Sequence, residues 1–124
     1  MNIAVVGASN NAQKYGYRIV KHLIEEGHTI FPVNLKEKTI LGLPVFKHLR
    51  DIDRKIDIVD VVVPPAATLK IIHEARLLGY KIHLWIQPGA ESDRIIRHLN
   101  KHSKDFASVT HSMCIMTSLD RVLL

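Results

Sequence analysis

The chain has 124 residues and one cysteine, and its 17 Lys and Arg against 12 Asp and Glu give a formal net charge of +5. A chain of this length buries roughly 65% of its unfolded surface, so residues 1–124 are expected to form a single domain without disulfides. No run reaches the ~18 apolar residues of a membrane span, and no signal-peptide pattern precedes the first strand, so a cytoplasmic protein is expected.

Apolar runs and helical patterns alternate along the chain. In chain order they predict a strand at 3–6, a helix at 15–27, a strand at 29–33, a connection with one short helix at 36–56, a strand at 58–63, a helix at 66–78, a strand at 82–86, a helix at 91–102 and a strand at 106–110. Continuous apolar strands separated by helices are typical of a parallel sheet that is covered on both faces.

This alternation predicts an α/β fold, a Rossmann-like doubly wound parallel sheet of five strands in the order 3-2-1-4-5 with helices on both faces. Ligands of such sheets bind beyond the carboxyl ends of the strands, here expected at the switch between strands 1 and 4. The residues that directly follow each strand are therefore the candidate site residues.

The first of these loops resembles a phosphate-binding turn. Gly7 permits a tight turn after the first strand, Ser9 and Asn10 supply short polar groups, and Lys14 precedes the helix. A phosphate on the backbone N–H groups of a helix N-terminus suits this arrangement, although Ser and Asn also serve as simple helix caps. The G-x-G-x-x-G spacing of an NAD site is absent.

The second loop also departs from an NAD site. It reads Asn34, Leu35, Lys36, where an NAD-binding protein has a carboxylate for the ribose hydroxyls. Lys36 and Lys38 would instead attract a ribose phosphate, such as the 3′-phosphate of coenzyme A (CoA) or the 2′-phosphate of NADP. The alternative is that both lysines are simply solvated.

The remaining loops offer walls and few reactive groups. Val63 and Pro64 form a stiff apolar wall, and Gln87 can hydrogen-bond an amide such as those of pantetheine. Trp85 is expected in the core. Cys114 is either a buried inert thiol or a partner for the pantetheine thiol in a mixed disulfide.

Motifs of catalysis or metal binding are missing from the sequence. It has no G-x-S-x-G, C-x-x-C, H-E-x-x-H or Walker loop, and its eight histidines are dispersed. Only His98 and His102 share a helix face, without a third ligand. We therefore expect no catalytic residues and no metal site.

Seven segments in order resemble a known family, the small CoA-binding proteins related to the N-terminal CoA-binding domain of the succinyl-CoA synthetase α subunit. The resemblance covers nearly the whole chain. The segments are Val6-Gly7-Ala8-Ser9, Lys14-Tyr15-Gly16, Pro32-Val33-Asn34, Leu41-Gly42-Leu43, Val62-Val63-Pro64-Pro65, Trp85-Ile86-Gln87-Pro88-Gly89-Ala90-Glu91 and Cys114-Ile115-Met116.

The resemblance implies coenzyme A as ligand. It assigns the pyrophosphate to the first turn, the adenosine to the second loop and the pantetheine to the later loops. The implied binding residues are Gly7, Ala8, Ser9, Asn10, Lys14 and Tyr15, then Val33, Asn34 and Lys36, then Val63, Pro64, Gln87, Gly89 and Cys114. Leu35 departs from the Pro that relatives often carry there. The synthetase also needs a phosphohistidine domain and a partner subunit, so we expect that this chain does not perform the ligase reaction alone.

Three functions compete at this point. The first is a non-catalytic carrier, sensor or buffer of CoA or an acyl-CoA, with an unknown protein partner. The second is an NAD(P)-binding enzyme or redox sensor on the same fold. The third is an interaction module that uses the basic segment 94–104, although binding of nucleic acid is not expected, because solvated surface charge is the better explanation of that segment. The sequence leaves the oligomeric state open.

Overall fold

A computed structural model describes all residues 1–124. Its five-stranded sheet has the order β2-β1-β5-β6-β7, and every neighbouring pair is parallel. The sheet strands are β1 (Asn2–Val6), β2 (Thr29–Val33), β5 (Ile58–Val61), β6 (His83–Ile86) and β7 (Ser108–His111). The helices are α1 (Tyr15–Glu25), α2 (Pro65–Arg76), α3 (Asp93–His102) and α4 (Ile115–Leu123). No helix is long and apolar enough to cross a membrane.

The helices cover both faces of the sheet, as predicted. On one face, α1 and α4 enclose a core that includes Ile3 and Val5, whereas on the other α2 and α3 enclose a core that includes Ala4 and Val6. The alternation along β1 follows from the period of two in a strand. Trp85 is fully buried, and its indole N–H donates to the Met113 carbonyl oxygen at 2.9 Å.

The predicted strand order is wrong. The third long strand, β5, pairs with β1 from Ile3↔Ile58 to Val6↔Val61, so the order of the five strands counted along the chain is 2-1-3-4-5. The switch point therefore lies between β1 and β5, and not between the first and fourth strands. All the candidate loops nevertheless remain at one edge, because every strand is parallel.

Pro32 gives the physical reason for this order. The prediction placed the second strand between two neighbours, but proline has no N–H to donate to a ladder and is confined to edge strands. In the structure β2 is an edge strand, and the Pro32 carbonyl points outwards to accept from the Phe46 N–H at 2.9 Å. The lack of an N–H on Pro32 therefore leaves no hydrogen bond of the sheet unformed.

Two further parts of the chain differ from the predictions. The connection 36–56 holds a small hairpin that was not predicted, β3 (Thr39–Ile40) with β4 (Leu43–Pro44), and its one short helix is a 3₁₀ turn at Leu49–Asp51. The helix α4 was not predicted. Its N-cap, Cys114, is not a capping residue type, and its first free amide is satisfied from a distant loop, so no local signal marks its start.

Candidate functional site

A cleft of about 640 Å³ opens at the carboxyl edge of the sheet, around the switch point between β1 and β5. Its walls come from the loop that joins β1 to α1, called the first turn below, from the loops after β5 and β6, and from the start of α4. The lining residues are Gly7, Ala8, Ser9, Gln13, Lys14, Tyr15, Gly16, Asn34, Val62, Val63, Pro64, Pro65, Gln87, Pro88, Gly89, Ala90 and Cys114. Few convergent polar groups in a concave, largely apolar cleft are typical of a cofactor site.

Two glycines allow the first turn to pack closely. Gly7 has φ +103°, and a Cβ there would lie 2.9 Å from the carbonyl carbon of Val62. A Cβ on Gly16, in the first turn of α1, would overlap the Gly7 carbonyl oxygen. The start of α1 is therefore held directly against the end of β1, where its first two residues line the cleft.

Two helices begin at the cleft without a side-chain cap. α1 starts after Lys14 and α2 starts after Pro64, and neither residue donates or accepts a capping hydrogen bond through its side chain. Unpaired amides at a helix start, together with the positive end of the helix dipole, form a site for an anion. At α2, Pro65 has no N–H and the Ala67 N–H donates to the Pro64 carbonyl oxygen, so the free amides lie mainly at the start of α1. The Ser9 Oγ accepts from the Asn11 N–H at 3.0 Å, which shapes the turn that leads into α1.

Gln87 connects the loop after β6 to α4. The residue is 3% exposed, and its Oε1 accepts from the Ile115 N–H at 2.8 Å. Its Nε2 lies 3.4 Å from the Cys114 Sγ and donates to it. The amide thereby caps α4 and fixes the half-buried thiol of Cys114 on the wall of the cleft.

Asn34 joins the second loop to the first turn. Its Nδ2 donates to the Ala8 carbonyl oxygen at 2.9 Å, and its Oδ1 accepts from the N–H groups of Lys36 at 2.7 Å and Glu37 at 3.0 Å. The Glu37 carboxylate accepts from the Asn10 Nδ2 at 2.7 Å. The one acidic side chain of this loop is thus engaged by Asn10, which itself lies outside the cleft.

A second cavity of about 360 Å³ lies between the loop after β2 and the helix α2. It shares Gly7, Asn34 and Val63 with the cleft, so the two spaces adjoin. Its other lining residues are Val6, Val33, Leu35, Lys36, Lys47, His48, Ala67, Lys70, Ile71 and Glu74. None of the three lysines has an acidic side chain within ion-pair distance.

The structure brings most of the candidate residues together. Of those named from the sequence, Gly7, Ala8, Ser9, Lys14, Tyr15, Asn34, Val63, Pro64, Gln87, Gly89 and Cys114 line the cleft, Val33 and Lys36 line only the second cavity, and Asn10 lines neither. Six further residues line the cleft that the implied binding residues leave out: Gln13, Gly16, Val62, Pro65, Pro88 and Ala90. Gln13, Pro65 and Pro88 lie in loops that the sequence marks as candidates, whereas Gly16, Val62 and Ala90 lie outside them. All six adjoin or lie near residues that were named, so their place at the strand ends was an available signal.

The basic segment 94–104 contributes no residue to the cleft or to the second cavity. A groove of about 410 Å³ at the other end of α2 includes Arg76 and Lys81, and the Arg76 Nε lies 3.0 Å from the Asp105 Oδ2. On α3, burial together with the positive charges of His102 and Arg76 lowers the pKa of His98. No group of three or more His, Cys, Asp or Glu side chains is placed to hold a metal ion.

Known proteins match this chain closely. The model of the family described as a CoA binding domain matches residues 1–120. The α subunit of the ADP-forming acetate–CoA ligase II of Pyrococcus furiosus is 35% identical over 80 residues, which are 64% of this chain and 18% of that subunit. The chain thus spans less than a fifth of that relative's length.

Solved structures with the same fold cover most of the chain. A conserved hypothetical protein from Pyrococcus furiosus superposes with a TM-score of 0.84 at 39% identity, over 94% of this chain and 97% of that one. A hypothetical protein from Pyrococcus horikoshii OT3 superposes with a TM-score of 0.84 at 28% identity, over 98% of this chain and 83% of that one. The family match confirms the resemblance drawn from the ordered motifs, and the chain belongs to the CoA binding domain family.

Proposed function

We propose that the chain binds CoA or an acyl-CoA in the cleft and the second cavity, as a non-catalytic carrier, sensor or buffer in the cytoplasm. The observation that carries this proposal is the adjacency of the two spaces. A cleft with two uncapped helix starts lies next to a cavity lined by three unpaired lysines. CoA is a long ligand with a pyrophosphate between an adenosine 3′-phosphate and a pantetheine arm.

The first turn is the proposed pyrophosphate site. The free amides at the start of α1 and the nearby Lys14 supply partial and full positive charge to the phosphates. The start of α2, behind Pro64, faces the same space. Gly7 and Gly16 support the proposal because they allow the start of α1 to pack directly against the end of β1, on the wall of the cleft.

The second cavity is the proposed adenosine site. Val33, Val63 and Ile71 offer apolar surface to the base, whereas Lys36 and Lys70 offer charge to the 3′-phosphate. The loop after β2 has no free carboxylate for an unphosphorylated ribose, since Glu37 is bound by Asn10. These features favour CoA over NAD.

The remaining wall of the cleft is the proposed path of the pantetheine arm. It runs along Pro64 and Gly89 towards Gln87 and Cys114. Because the Gln87 Oε1 is taken by the Ile115 amide, the free N–H of its Nε2 is the group that can donate to a pantetheine carbonyl. The thiol of Cys114 then lies on the side of the cleft where the pantetheine thiol arrives.

Calorimetric titration of unfolded and refolded protein, freed of any co-purified ligand, tests this function. We expect CoA and acetyl-CoA to bind with a dissociation constant at or below about 10 µM, and NAD and NADP to bind at least about 30-fold more weakly. Stronger binding of NADP than of CoA would favour the NAD(P) alternative. Binding of none of the four would leave the fold without the proposed ligand.

A further inference from the structure

The second cavity contains a polar pair that the proposed phosphate contacts do not use. The Glu74 carboxylate and the His48 ring face each other, with 3.2 Å between the Glu74 Oε1 and the His48 Nδ1. Their side chains are 17% and 29% exposed, and both line the cavity. No other side-chain hydrogen bond or ion pair involves Glu74, so its Oε2 is free to accept a hydrogen bond from a ligand.

The helix α2 places this pair at the far end of the cavity. Ala67, Lys70, Ile71 and Glu74 fall on one helix face, at the spacing i, i+3, i+4 and i+7, and all four line the cavity. Seven residues of helix extend about 10 Å, so Glu74 lies about 10 Å further along α2 than Ala67. A ligand that enters from the cleft therefore reaches Glu74 with its last group.

The charge of Glu74 limits what that last group is. A carboxylate repels a phosphate, and the cavity already provides three lysines for phosphates. Apolar walls next to a hydrogen-bond acceptor suit a planar base whose edge carries a donor. Adenine carries such a donor, its exocyclic amino group, whereas hypoxanthine and guanine carry a carbonyl oxygen at the same position.

We infer that Glu74, held in place by His48, recognises the exocyclic amino group of the ligand's base and selects adenine over 6-oxopurines. The inference rests on the proposed function, because it assigns the base to the second cavity. A partly buried acceptor discriminates against a ligand that lacks the matching donor, and more so when that ligand brings a second acceptor against it.

Affinities for adenosine 3′,5′-bisphosphate and inosine 3′,5′-bisphosphate, measured by calorimetry, test this assignment. We expect the wild-type protein to prefer the adenosine compound by about 10-fold or more. In Glu74→Gln, an amide that both donates and accepts replaces the carboxylate, so the preference is expected to fall below about threefold. Glu25→Gln, on an exposed position of α1 outside both cavities, is the matched control and should keep the wild-type preference.

A general loss of stability weakens both bisphosphates alike, so the ratio of the two affinities reports recognition of the base alone. If Glu74→Gln does not fold, His48→Ala replaces it, since loss of the positioning ring should also reduce the preference for adenine. A wild-type protein without preference, or variants that retain it, would overturn the inference even when CoA binds. Failure of the wild-type protein to bind CoA at all would instead remove the proposed function together with the inference.

Discussion

Lys36 is the residue on which the choice of ligand depends most directly. It lines the second cavity without an acidic partner, and its backbone N–H is held by the Asn34 Oδ1 at 2.7 Å. The sequence indicated this lysine from the absence of a carboxylate after β2. It did not indicate Lys47 and Lys70, because they come from separate segments that only the fold brings to the same cavity.

Lys36→Ala is predicted to weaken the affinity for CoA about fivefold and to change the affinity for dephospho-CoA less than about twofold. The reason is that a partly exposed charge pair with the 3′-phosphate contributes about 1 kcal/mol, and dephospho-CoA lacks that phosphate. Calorimetry with both ligands measures the difference. Lys38→Ala, at an exposed lysine outside both cavities, is the control and should affect neither. An equal loss for both ligands would mean that Lys36 does not meet the 3′-phosphate.

Cys114→Ser is predicted to leave the affinity for reduced CoA within about twofold of wild type. The thiol accepts only one hydrogen bond, from the Gln87 Nε2, and a serine hydroxyl can accept the same bond. The measurement is calorimetry in the presence of a reducing agent. Loss of binding under those conditions would show that the side chain contacts the ligand directly, and that a mixed disulfide is not its role.

At the scale of elements, the junction of β1 and α1 determines the shape of the cleft. Gly16→Ala is predicted to destabilise the fold by about 2 kcal/mol and to weaken the affinity for CoA at least about fivefold. An alanine within a free helix is normally stabilising, but here the added Cβ meets the Gly7 carbonyl oxygen and must push α1 away from the turn. Thermal unfolding and calorimetry on the same variant measure the two effects.

Gly27→Ala is the matched control for this junction. Gly27 has φ +90° at the far end of α1, and nothing lies within 4 Å of the added Cβ. It should cost about 1 kcal/mol through backbone strain alone and leave CoA affinity unchanged. If both variants lowered the affinity alike, general destabilisation would explain the loss, and the close packing of Gly16 against Gly7 would not.

The elements that the sequence predicted are those with a local signal. The strands ending at Val6, Val33 and Ile86 appear as continuous apolar runs, and their ends locate the site. The strand order was predicted wrongly, although Pro32 carried the information that β2 is an edge strand. The start of α4 could not be predicted from its neighbours, because the Gln87 side chain that caps it is 28 residues away in the sequence.

At the scale of the whole molecule, one buried acid lies in the centre of the sheet. Asp60 on β5 is paired in register with Val5 and Trp85, is 0% exposed, and has no hydrogen-bond partner for either carboxylate oxygen. Burial raises the pKa of Asp60 well above its usual value. The native protein therefore holds Asp60 protonated at a pH where the unfolded chain has released that proton.

This difference makes stability depend on pH with a defined sign. The folded pKa is the higher one, so the contribution of Asp60 is fully present below the unfolded pKa of about 3.9 and is lost as the pH rises towards the folded value. Within that window the free energy of unfolding should fall by about 1.4 kcal/mol per pH unit from this group. Asp60→Asn should remove that part of the slope.

Denaturant unfolding between pH 4 and pH 8 measures the slope for each protein. Asp53→Asn, at an exposed aspartate, is the control and should reproduce the wild-type slope. If Asp60→Asn had the same pH dependence as wild type, the carboxyl would be ionised in the folded protein, and a partner for it would have to exist.

The location of the ligand is the central claim of this account, and NMR mapping of backbone amides during a CoA titration tests it most directly. We predict the largest shifts in the first turn at 7–16 and in the second loop at 34–37, with little change at 77–81 on the opposite edge of the sheet. Shifts concentrated at 77–81, or beside the basic helix α3, would contradict the claim that CoA binds at the carboxyl ends of the strands.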